Sequence, residues 1–373
     1  MRSFDQARAV VRRVFSPVEP SNRALRLGLG GLAVIASLVA LQALATGLPW
    51  GVDLYIPVQA ASRWLTGGQA YVPESFANGS GYDLPFLYPP YALPLFAPLT
   101  SIPFGPLQAT WFASNLAIAV AACRRLDIRW PFIPLLLVWP PFAEGFVTGN
   151  VQIGLFAAAV FVLTAASSGR IDEPTGRSRR TITHGLLGAV TAFLKVSQPH
   201  VLVYQARWDR RAAVVAVLAL AGLVSVTLPI TGTSIWLEWL DQARRAANPD
   251  WVMGGPSLSR LLPPPLGTIV IIGCIAAVFA VPRADPAAWV GVLLVISALS
   301  LHTYYLLFLL PAMLRIRREI ALIAAVLVTT YTEAGWWLAI ALVAGALMLS
   351  QQYGAFLERA SPARDDPTLR RGG

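Results

Sequence analysis

The sequence predicts an all-α fold, a bundle of helices that crosses a membrane many times. Of the 373 residues, 56% are hydrophobic and 13% are charged, whereas roughly 25% are charged in an ordinary soluble domain. Uncharged or nearly uncharged stretches recur from Leu27 to Leu349, separated by arginine clusters. These observations predict about ten to thirteen membrane helices in one domain, residues 27–350, with interfacial helices in its external loops.

The N-terminal arm, residues 1–26, contains six arginines and lacks the pattern of a cleaved signal peptide. The positive-inside rule therefore predicts a cytoplasmic N-terminus, followed by a retained first helix over 27–49. The tail, residues 351–373, is charged and lacks apolar anchors, which predicts a disordered cytoplasmic segment. A multi-pass protein of the plasma (inner) membrane follows, with both termini cytoplasmic.

The formal net charge of +10 comes from arginines that lie between apolar segments, and Lys195 is the one lysine of the chain. Membrane topology and anionic lipid headgroups explain such clusters, so we expect no nucleic-acid partner. Large external loops are predicted at about 50–86 and 231–265, where tryptophan, proline and glycine are frequent. Inside loops are predicted at Arg170–Arg180, Arg207–Arg211, Arg283 and Arg315–Arg318.

One region fits this topology in two ways. If residues 88–100 crossed the membrane fully, Arg124, Arg125 and Arg129 would lie outside. Either this proline-rich segment only dips into the membrane, or these arginines are external and bind phosphate. The sequence leaves both open.

Cysteine and histidine patterns favour neither a disulfide framework nor a metal site. Cys123 and Cys274 lie in separate apolar segments, and the three histidines have no paired spacing. We therefore expect no metal and no cofactor.

Asp53 directly follows the predicted first crossing and precedes an amphipathic segment, Leu54–Leu65. It is either a helix N-cap or first-turn acid, or a general base at the membrane surface. Lys195 is flanked by apolar helix before Pro199. It is either a snorkelling helix-end residue or a partner for a phosphate.

Four polar residues, Glu144, Thr148, Asn150 and Gln152, lie between two apolar stretches, where Gly145 and Gly149 are predicted to break the helix. They either bind sugar hydroxyls or form a short loop.

His302 lies at a predicted external helix boundary beside Tyr304 and Tyr305. It is either a structural hydrogen-bonding residue or a functional one. Trp236, Trp239 and Trp251 are typical of a membrane-interface belt or of a stacking surface. Arg244, Arg245 and Arg260 either contact phosphate or belong to a solvated loop.

Five segments follow one another in a recognisable order: DLYIPVQAASRWLTGGQAYVP, LYPPYALPLFAPL, VWPPFAEGFVTGNVQIGL, GLLGAVTAFLKVSQP and LSLHTYYLLFLLPA. Over about residues 50–315 the chain thereby resembles glycosyltransferase family 87. That family belongs to the GT-C superfold and includes polyprenol-phosphate-mannose-dependent α-mannosyltransferases of actinobacterial envelope glycolipid synthesis. Where family members often read Gly-Gln-Val-Asn, this chain has Gly149, Asn150, Val151 and Gln152, and Leu301 precedes His302 in place of a Ser-Trp-type stretch.

The resemblance implies inverting transfer of a sugar, most often mannose, from a polyprenyl-phosphate donor to a lipid or glycan acceptor at the extracytoplasmic face. It implies that Asp53 is the general base, that Lys195 or loop arginines bind the donor phosphate, and that His302 contacts the donor phosphate or the acceptor. Tyr88, Glu144, Asn150 and Gln152 are the residues expected to bind sugar or acceptor. Its lipid-linked donor enters from the membrane, and no metal is expected.

The residues alone leave other functions open. A transporter or flippase of lipid-linked sugars would often show matching repeats in its halves, and none is visible. A non-catalytic envelope-assembly protein would tolerate Asp53→Asn, and an envelope acyltransferase or polymerase would depend on a histidine or another acceptor.

Overall fold

The computed structural model describes residues 38, 49–75, 81–167, 174–195, 198–248 and 257–316, and every regular element within these ranges is helical. The α-helices are α1 (Val52–Leu65), α2 (Ala92–Phe96), α3 (Phe104–Arg125), α4 (Ile133–Leu137), α5 (Pro140–Thr148), α6 (Gln152–Ser167), α7 (Pro174–Phe193), α8 (His200–Trp208), α9 (Arg210–Thr231), α10 (Thr233–Ala247), α11 (Leu258–Leu261), α12 (Pro264–Ala277), α13 (Pro286–Ile296) and α14 (Leu310–Ile316). Five 3₁₀ helices join them, at Gly81–Asp83, Ala97–Ser101, Trp130–Phe132, Val278–Ala280 and Thr303–Leu309. The all-α prediction is confirmed for these ranges. The N-terminal arm, nearly all of the predicted first crossing 27–49, Trp251 and the tail 351–373 lie outside them.

Proline and glycine divide the chain into short helices at predictable places. Helix α5 begins with two prolines, whose missing N–H groups cost nothing at a helix start. It ends at Gly149, which has a left-handed φ of 73°. The prediction that Gly145 also breaks the helix is wrong, because Gly145 lies inside α5. A Cβ atom there would lie 2.9 Å from the side chain of Ile153, so close packing of α5 on α6 accounts for this glycine.

Long apolar helices are fewer in the described ranges than the sequence analysis predicts for the whole chain. Within the described ranges, α9 is the one helix that is long and apolar enough to cross a membrane by itself. The bent pair Trp130–Leu137 and Pro140–Thr148, at 58°, adds a second span if the pair is counted as one. The number of about ten to thirteen crossings stays a prediction.

Helix α9 carries large apolar side chains on its outer surface. Val217 is 57% exposed, Leu218 65% and Val226 63%. An outward apolar surface on a long helix is typical of contact with lipid, since water would not tolerate it without cost.

Two hydrophobic clusters hold the helices together. The larger one surrounds α5, α6 and α13 and includes Trp139, Phe156 and Leu307. The smaller one packs α1 against α2 and the segment before it, and includes Leu54 and Phe86. Tyr88, Trp111 and Leu194 are packed against both clusters. These three side chains mark the place where the two clusters meet.

Arginines gather at the end of the bundle where α3 and α8 finish, which we call the arginine end. Arg125, Arg180 and Asp209 all interact electrostatically with His184. The rings of Trp208 receive two guanidinium groups, from Arg207 at 4.5 Å and Arg283 at 4.7 Å from the ring centroid.

This arrangement bears on residues 88–100. Helix α2 and the following 3₁₀ helix cover Ala92–Ser101, which is shorter than the roughly 17 residues that a crossing needs. Helix α3 then runs from Phe104, which contacts Tyr55 of α1 at 5.2 Å between ring centroids, to Arg125 at the arginine end. Arg125 thereby lies with the other predicted inside arginines, and the dip of residues 88–100 into the membrane stays a prediction.

Candidate functional site

Asp53 lies in the first turn of α1, and the backbone before it fixes its place. Gly51 is the N-cap and has a left-handed φ of 72°. Its N–H donates to the carbonyl of Val147 at 2.7 Å, which joins the start of α1 to the end of α5. A Cβ atom on Gly51 would lie 2.9 Å from the Phe104 ring. The N-cap prediction for Asp53 is thus wrong and its first-turn placement is confirmed.

Gly149 makes the second close contact between these two helices. A Cβ atom on it would lie 3.1 Å from Cβ of Leu54, and its φ of 73° also favours glycine. Its carbonyl accepts a hydrogen bond from Nε1 of Trp111 at 2.9 Å. The turn after α5 is therefore held directly against the first turn of α1.

Asn150 follows this turn and binds Asp53. Its Nδ2 donates to Oδ2 of Asp53 at 2.8 Å, and its Oδ1 accepts from the backbone N–H of Gln152 at 2.8 Å. Because a backbone donor occupies Oδ1, the amide group can turn only its N–H side toward the carboxylate. Asn150 is 3% exposed, so this orientation is fixed by its surroundings.

Lys195 lies in the short segment between α7 and α8. Its Nζ stands over the rings of Tyr304 at 4.5 Å and Tyr305 at 5.0 Å from their centroids. It interacts electrostatically with Asp53 and Glu144. Cation–π contacts of this kind hold an ammonium group without neutralising its charge, so the amine keeps its attraction for a further anion.

Glu144 and Tyr88 complete the ring of polar groups around Asp53. The hydroxyl of Thr303 donates a hydrogen bond to the Glu144 side chain, which also interacts with Asp53 and Lys195. Tyr88 interacts electrostatically with Asp53 and Tyr305. Thr148, in contrast, donates to the carbonyl of Glu144 at 2.9 Å within its own helix.

His302 lies at the edge of this group. Its ring stacks on Tyr304 with centroids 5.3 Å apart, and its Nε2 is 3.0 Å from Oγ of Ser300. The structure therefore brings every predicted site residue into one region, which we call the site end. They are Asp53, Tyr88, Glu144, Asn150, Gln152, Lys195 and His302.

Four residues of the site end were missed by the sequence analysis as site residues: Thr303, Tyr304, Tyr305 and Gln198. Nε2 of Gln152 lies 3.4 Å from Oε1 of Gln198, and both side chains are buried. Oε1 of Gln152 and Nε2 of Gln198 have no hydrogen-bond partner among the described residues. The paired tyrosines beside His302 were a usable signal, whereas nothing in the sequence relates Gln198 to Gln152.

Helix α10, which lies in the second predicted external loop, packs beside the site end. Nε1 of Trp239 donates to the carbonyl of Leu87 at 3.2 Å, and Trp236 contacts Tyr91 with centroids 5.9 Å apart. Arg245 forms an exposed ion pair with Asp241 at 2.8 Å, which agrees with a solvated loop. Burial raises the pKa of the Glu238 carboxyl in the same helix.

Cysteines and potential metal ligands are dispersed in the described part of the chain. Cys123 and Cys274 are free thiols. Within those ranges no group of three or more His, Cys, Asp or Glu side chains is placed to hold a metal ion.

Comparisons with known proteins find sequences that are similar to this chain. The profile of glycosyltransferase family 87 matches residues 86–301, more than half of the chain. The matched range contains Tyr88, Glu144, Asn150, Gln152 and Lys195, and it excludes Asp53 and His302.

Two curated relatives from Mycobacterium tuberculosis are similar to the chain. A polyprenol-phosphate-mannose-dependent alpha-(1-2)-phosphatidylinositol pentamannoside mannosyltransferase is 26% identical over 239 residues, covering 60% of this chain and 52% of the relative. A polyprenol-phosphate-mannose-dependent alpha-(1-2)-phosphatidylinositol mannoside mannosyltransferase is 26% identical over 216 residues, covering 51% and 48%. The chain thus spans about half the length of the curated relatives it matches. No solved structure matches it.

Proposed function

The chain belongs to glycosyltransferase family 87, and from this premise we propose that it is a membrane mannosyltransferase with Asp53 as its general base. The donor is a polyprenyl-phosphate sugar, and the acceptor is a lipid or glycan hydroxyl. The two relatives named above support this donor, since both depend on polyprenol-phosphate-mannose. The observation that carries the proposal is the hydrogen bond from Asn150 to Asp53, with the amine of Lys195 facing the same carboxylate.

The acceptor side of the reaction needs a base. As the acceptor oxygen bonds to the anomeric carbon, its proton passes to the Asp53 carboxylate. The bond from that carbon to the phosphate oxygen breaks on the opposite face, which inverts the configuration. Asn150 donates to Oδ2 of Asp53 and thereby holds the carboxylate in one orientation. It acts as the group that orients the catalytic base.

The donor side needs a positive charge. Polyprenyl phosphate departs as an anion and takes the bonding electron pair with it, so it gains little from a general acid. Lys195 lies over two tyrosine rings and interacts electrostatically with Asp53. It supplies a charge-assisted contact for the leaving phosphate. His302, stacked on Tyr304, extends this phosphate site.

Sugar hydroxyls need paired donors and acceptors. Glu144 supplies acceptor oxygens, and Tyr88 supplies a hydroxyl beside Asp53. The buried amides of Gln152 and Gln198 carry one acceptor and one donor atom without a partner in the described residues. A polar sugar satisfies such atoms better than an apolar ligand.

The site end belongs on the extracytoplasmic side in this proposal. The arginine end carries Arg125, Arg180, Arg207 and Arg283, and positive residues mark the cytoplasmic side of a membrane protein. Helix α3 joins the two ends with 22 residues, or about 33 Å at 1.5 Å per residue, close to the thickness of a hydrocarbon core. An isoprenoid chain reaches the site end from the lipid, and the GT-C bundle provides the short, broken helices between which it lies.

The decisive experiment replaces Asp53 with Asn in membranes supplied with radiolabelled polyprenyl-phosphate-mannose, with the labelled glycolipids extracted and quantified. The amide keeps the shape of the side chain and removes the base, so transfer falls by about 10² or more. Asp241→Asn makes the same chemical change on an exposed helix and leaves transfer intact. Transfer by Asp53→Asn at the wild-type rate would remove Asp53 from the mechanism and favour a transporter or an assembly protein.

A further inference from the structure

A cavity of about 270 Å³ lies along α1, beyond the residues assigned to the reaction. One wall is α1 itself, through Ile56, Ala60 and Arg63, and the other is formed by side chains from residues 70–75 and 82–86. We call it the α1 cavity. Its volume is near the lower end of the roughly 300–1,000 Å³ of small-molecule sites, which suits one sugar residue better than a long glycan.

The α1 cavity starts next to the proposed base. Asp53, Ile56, Ala60 and Arg63 follow one another at helical spacings of three or four residues, so they share one face of α1. Ile56 is three residues beyond Asp53, which is about 4.5 Å along the helix axis. The cavity therefore lies about one helical turn from Asp53, within reach of a second sugar residue on an acceptor whose reacting hydroxyl meets Asp53.

The opposite wall is also continuous with the site end. Phe86 lines the cavity and contacts Tyr88 edge to face, with centroids 5.8 Å apart. Tyr88 in turn interacts electrostatically with Asp53. Aromatic rings thus form one wall that runs from the cavity to the base.

The polar groups of the cavity match the hydroxyls of a neutral sugar. Glu74 and Asp83 offer carboxylate oxygens that accept from hydroxyls, and Arg63 and Gln59 offer N–H groups that donate to them. Tyr82 and Phe86 offer rings for the apolar face of a sugar. With two carboxylates and one guanidinium, the lining disfavours a phosphate group.

Tyr82 is held in place before any ligand arrives. Its hydroxyl donates to the carbonyl of Trp50 at 2.9 Å, and its ring meets Tyr55 edge to face with centroids 4.7 Å apart. A ring fixed in this way loses little conformational entropy on binding.

We propose that the α1 cavity is an acceptor subsite, which binds the neutral sugar residue next to the one that carries the reacting hydroxyl. This inference rests on the proposed function, because it needs an acceptor whose hydroxyl reaches Asp53. It adds to that function a preference for acceptors that already carry at least two sugars.

The test measures binding and transfer separately. Saturation-transfer NMR on the full chain in nanodiscs reports binding of methyl α-mannobioside to the wild type, to Asp53→Asn, and to the double variant Glu74→Gln with Asp83→Asn. Both substitutions in the double variant are isosteric changes of exposed carboxylates, so the fold is kept. Asp241→Asn is the matched control outside the cavity.

We expect the double variant to bind the disaccharide about tenfold more weakly, since hydrogen bonds to charged groups are lost. Asp241→Asn binds it as the wild type does, and Asp53→Asn, which leaves the cavity lining intact, weakens binding less than the double variant. In transfer assays the double variant raises KM for octyl α-mannobioside about tenfold, with kcat and the KM of octyl α-mannoside unchanged.

Equal disaccharide binding by the wild type and the double variant, or no binding by the wild type, overturns the subsite. Tighter binding of inositol 1-phosphate than of the disaccharide, lost in Arg63→Gln, overturns it in favour of an anionic headgroup site. Failure of the proposed base has a different signature, because Asp53→Asn would then transfer at the wild-type rate whatever the cavity variants bind.

Discussion

The two ends of the bundle use charge in opposite ways. At the arginine end, exposed guanidinium groups lie on tryptophan rings, as Arg207 and Arg283 do on Trp208. At the site end two carboxylates, Asp53 and Glu144, and one amine, Lys195, lie among tyrosine rings and amide groups. Exposed charges are screened by water and salt, whereas charges in a poorly polarisable site interact strongly. The number of charged groups therefore does not indicate where the candidate site lies, whereas the surroundings of those groups do.

Apart from replacing Asp53 itself, the largest effect is expected from a further carboxylate placed next to Asp53. Asn150→Asp would place two carboxyl groups at the 2.8 Å separation now spanned by the amide hydrogen bond. Two carboxylates this close retain a proton between them, so we expect transfer at pH 7 to fall by about a hundredfold and the acid limb of the rate–pH profile to move to higher pH. Initial rates from pH 5 to 9 measure both effects.

Asn150→Ala is the matched control for that variant. It removes the orienting N–H without adding charge, so we expect a loss of about tenfold and a smaller shift of the acid limb to higher pH than in Asn150→Asp, because the carboxylate loses only one hydrogen-bond donor. A profile for Asn150→Asp with the same shape as that of Asn150→Ala would show that Asn150 does not position Asp53.

Loss of the amine comes next. In Lys195→Ala the donor phosphate loses a charge-assisted contact, and we expect the donor KM to rise about tenfold or more with the acceptor KM unchanged. Lys195→Arg keeps the charge over the Tyr304 and Tyr305 rings and should recover part of the donor affinity. A donor titration in which Lys195→Ala equals the wild type would exclude this role.

The smallest effect is expected at the arginine end. Arg283→Gln removes one of two guanidinium contacts to Trp208, each worth about 0.5–1 kcal/mol at an exposed site. Transfer should equal that of the wild type, and the midpoint of thermal unfolding should fall by about 2 °C or less. A change in donor or acceptor KM would show that the two ends are coupled and that the comparison drawn above is too simple.

Local signals in the sequence predicted much of the site end. Asp53 after an apolar stretch, Lys195 as the one lysine, and the polar run from Glu144 to Gln152 all marked residues that the fold brings together. These signals work because isolated polar groups are costly in apolar surroundings and persist where they have partners. Gly145 misled the same reasoning, since a glycine that permits close helix packing and a glycine that ends a helix look alike in a sequence.

Composition and periodicity alone determined that this protein is helical, apolar outside and basic between its helices, because lipid and backbone hydrogen bonding permit few other solutions. The tertiary structure alone decided which groups touch. Asn150 lies 97 positions from Asp53, and Gln152 lies 46 positions from Gln198. Contacts between residues so far apart follow from how α1, α5 and the turn before α8 pack, and no local pattern records that packing.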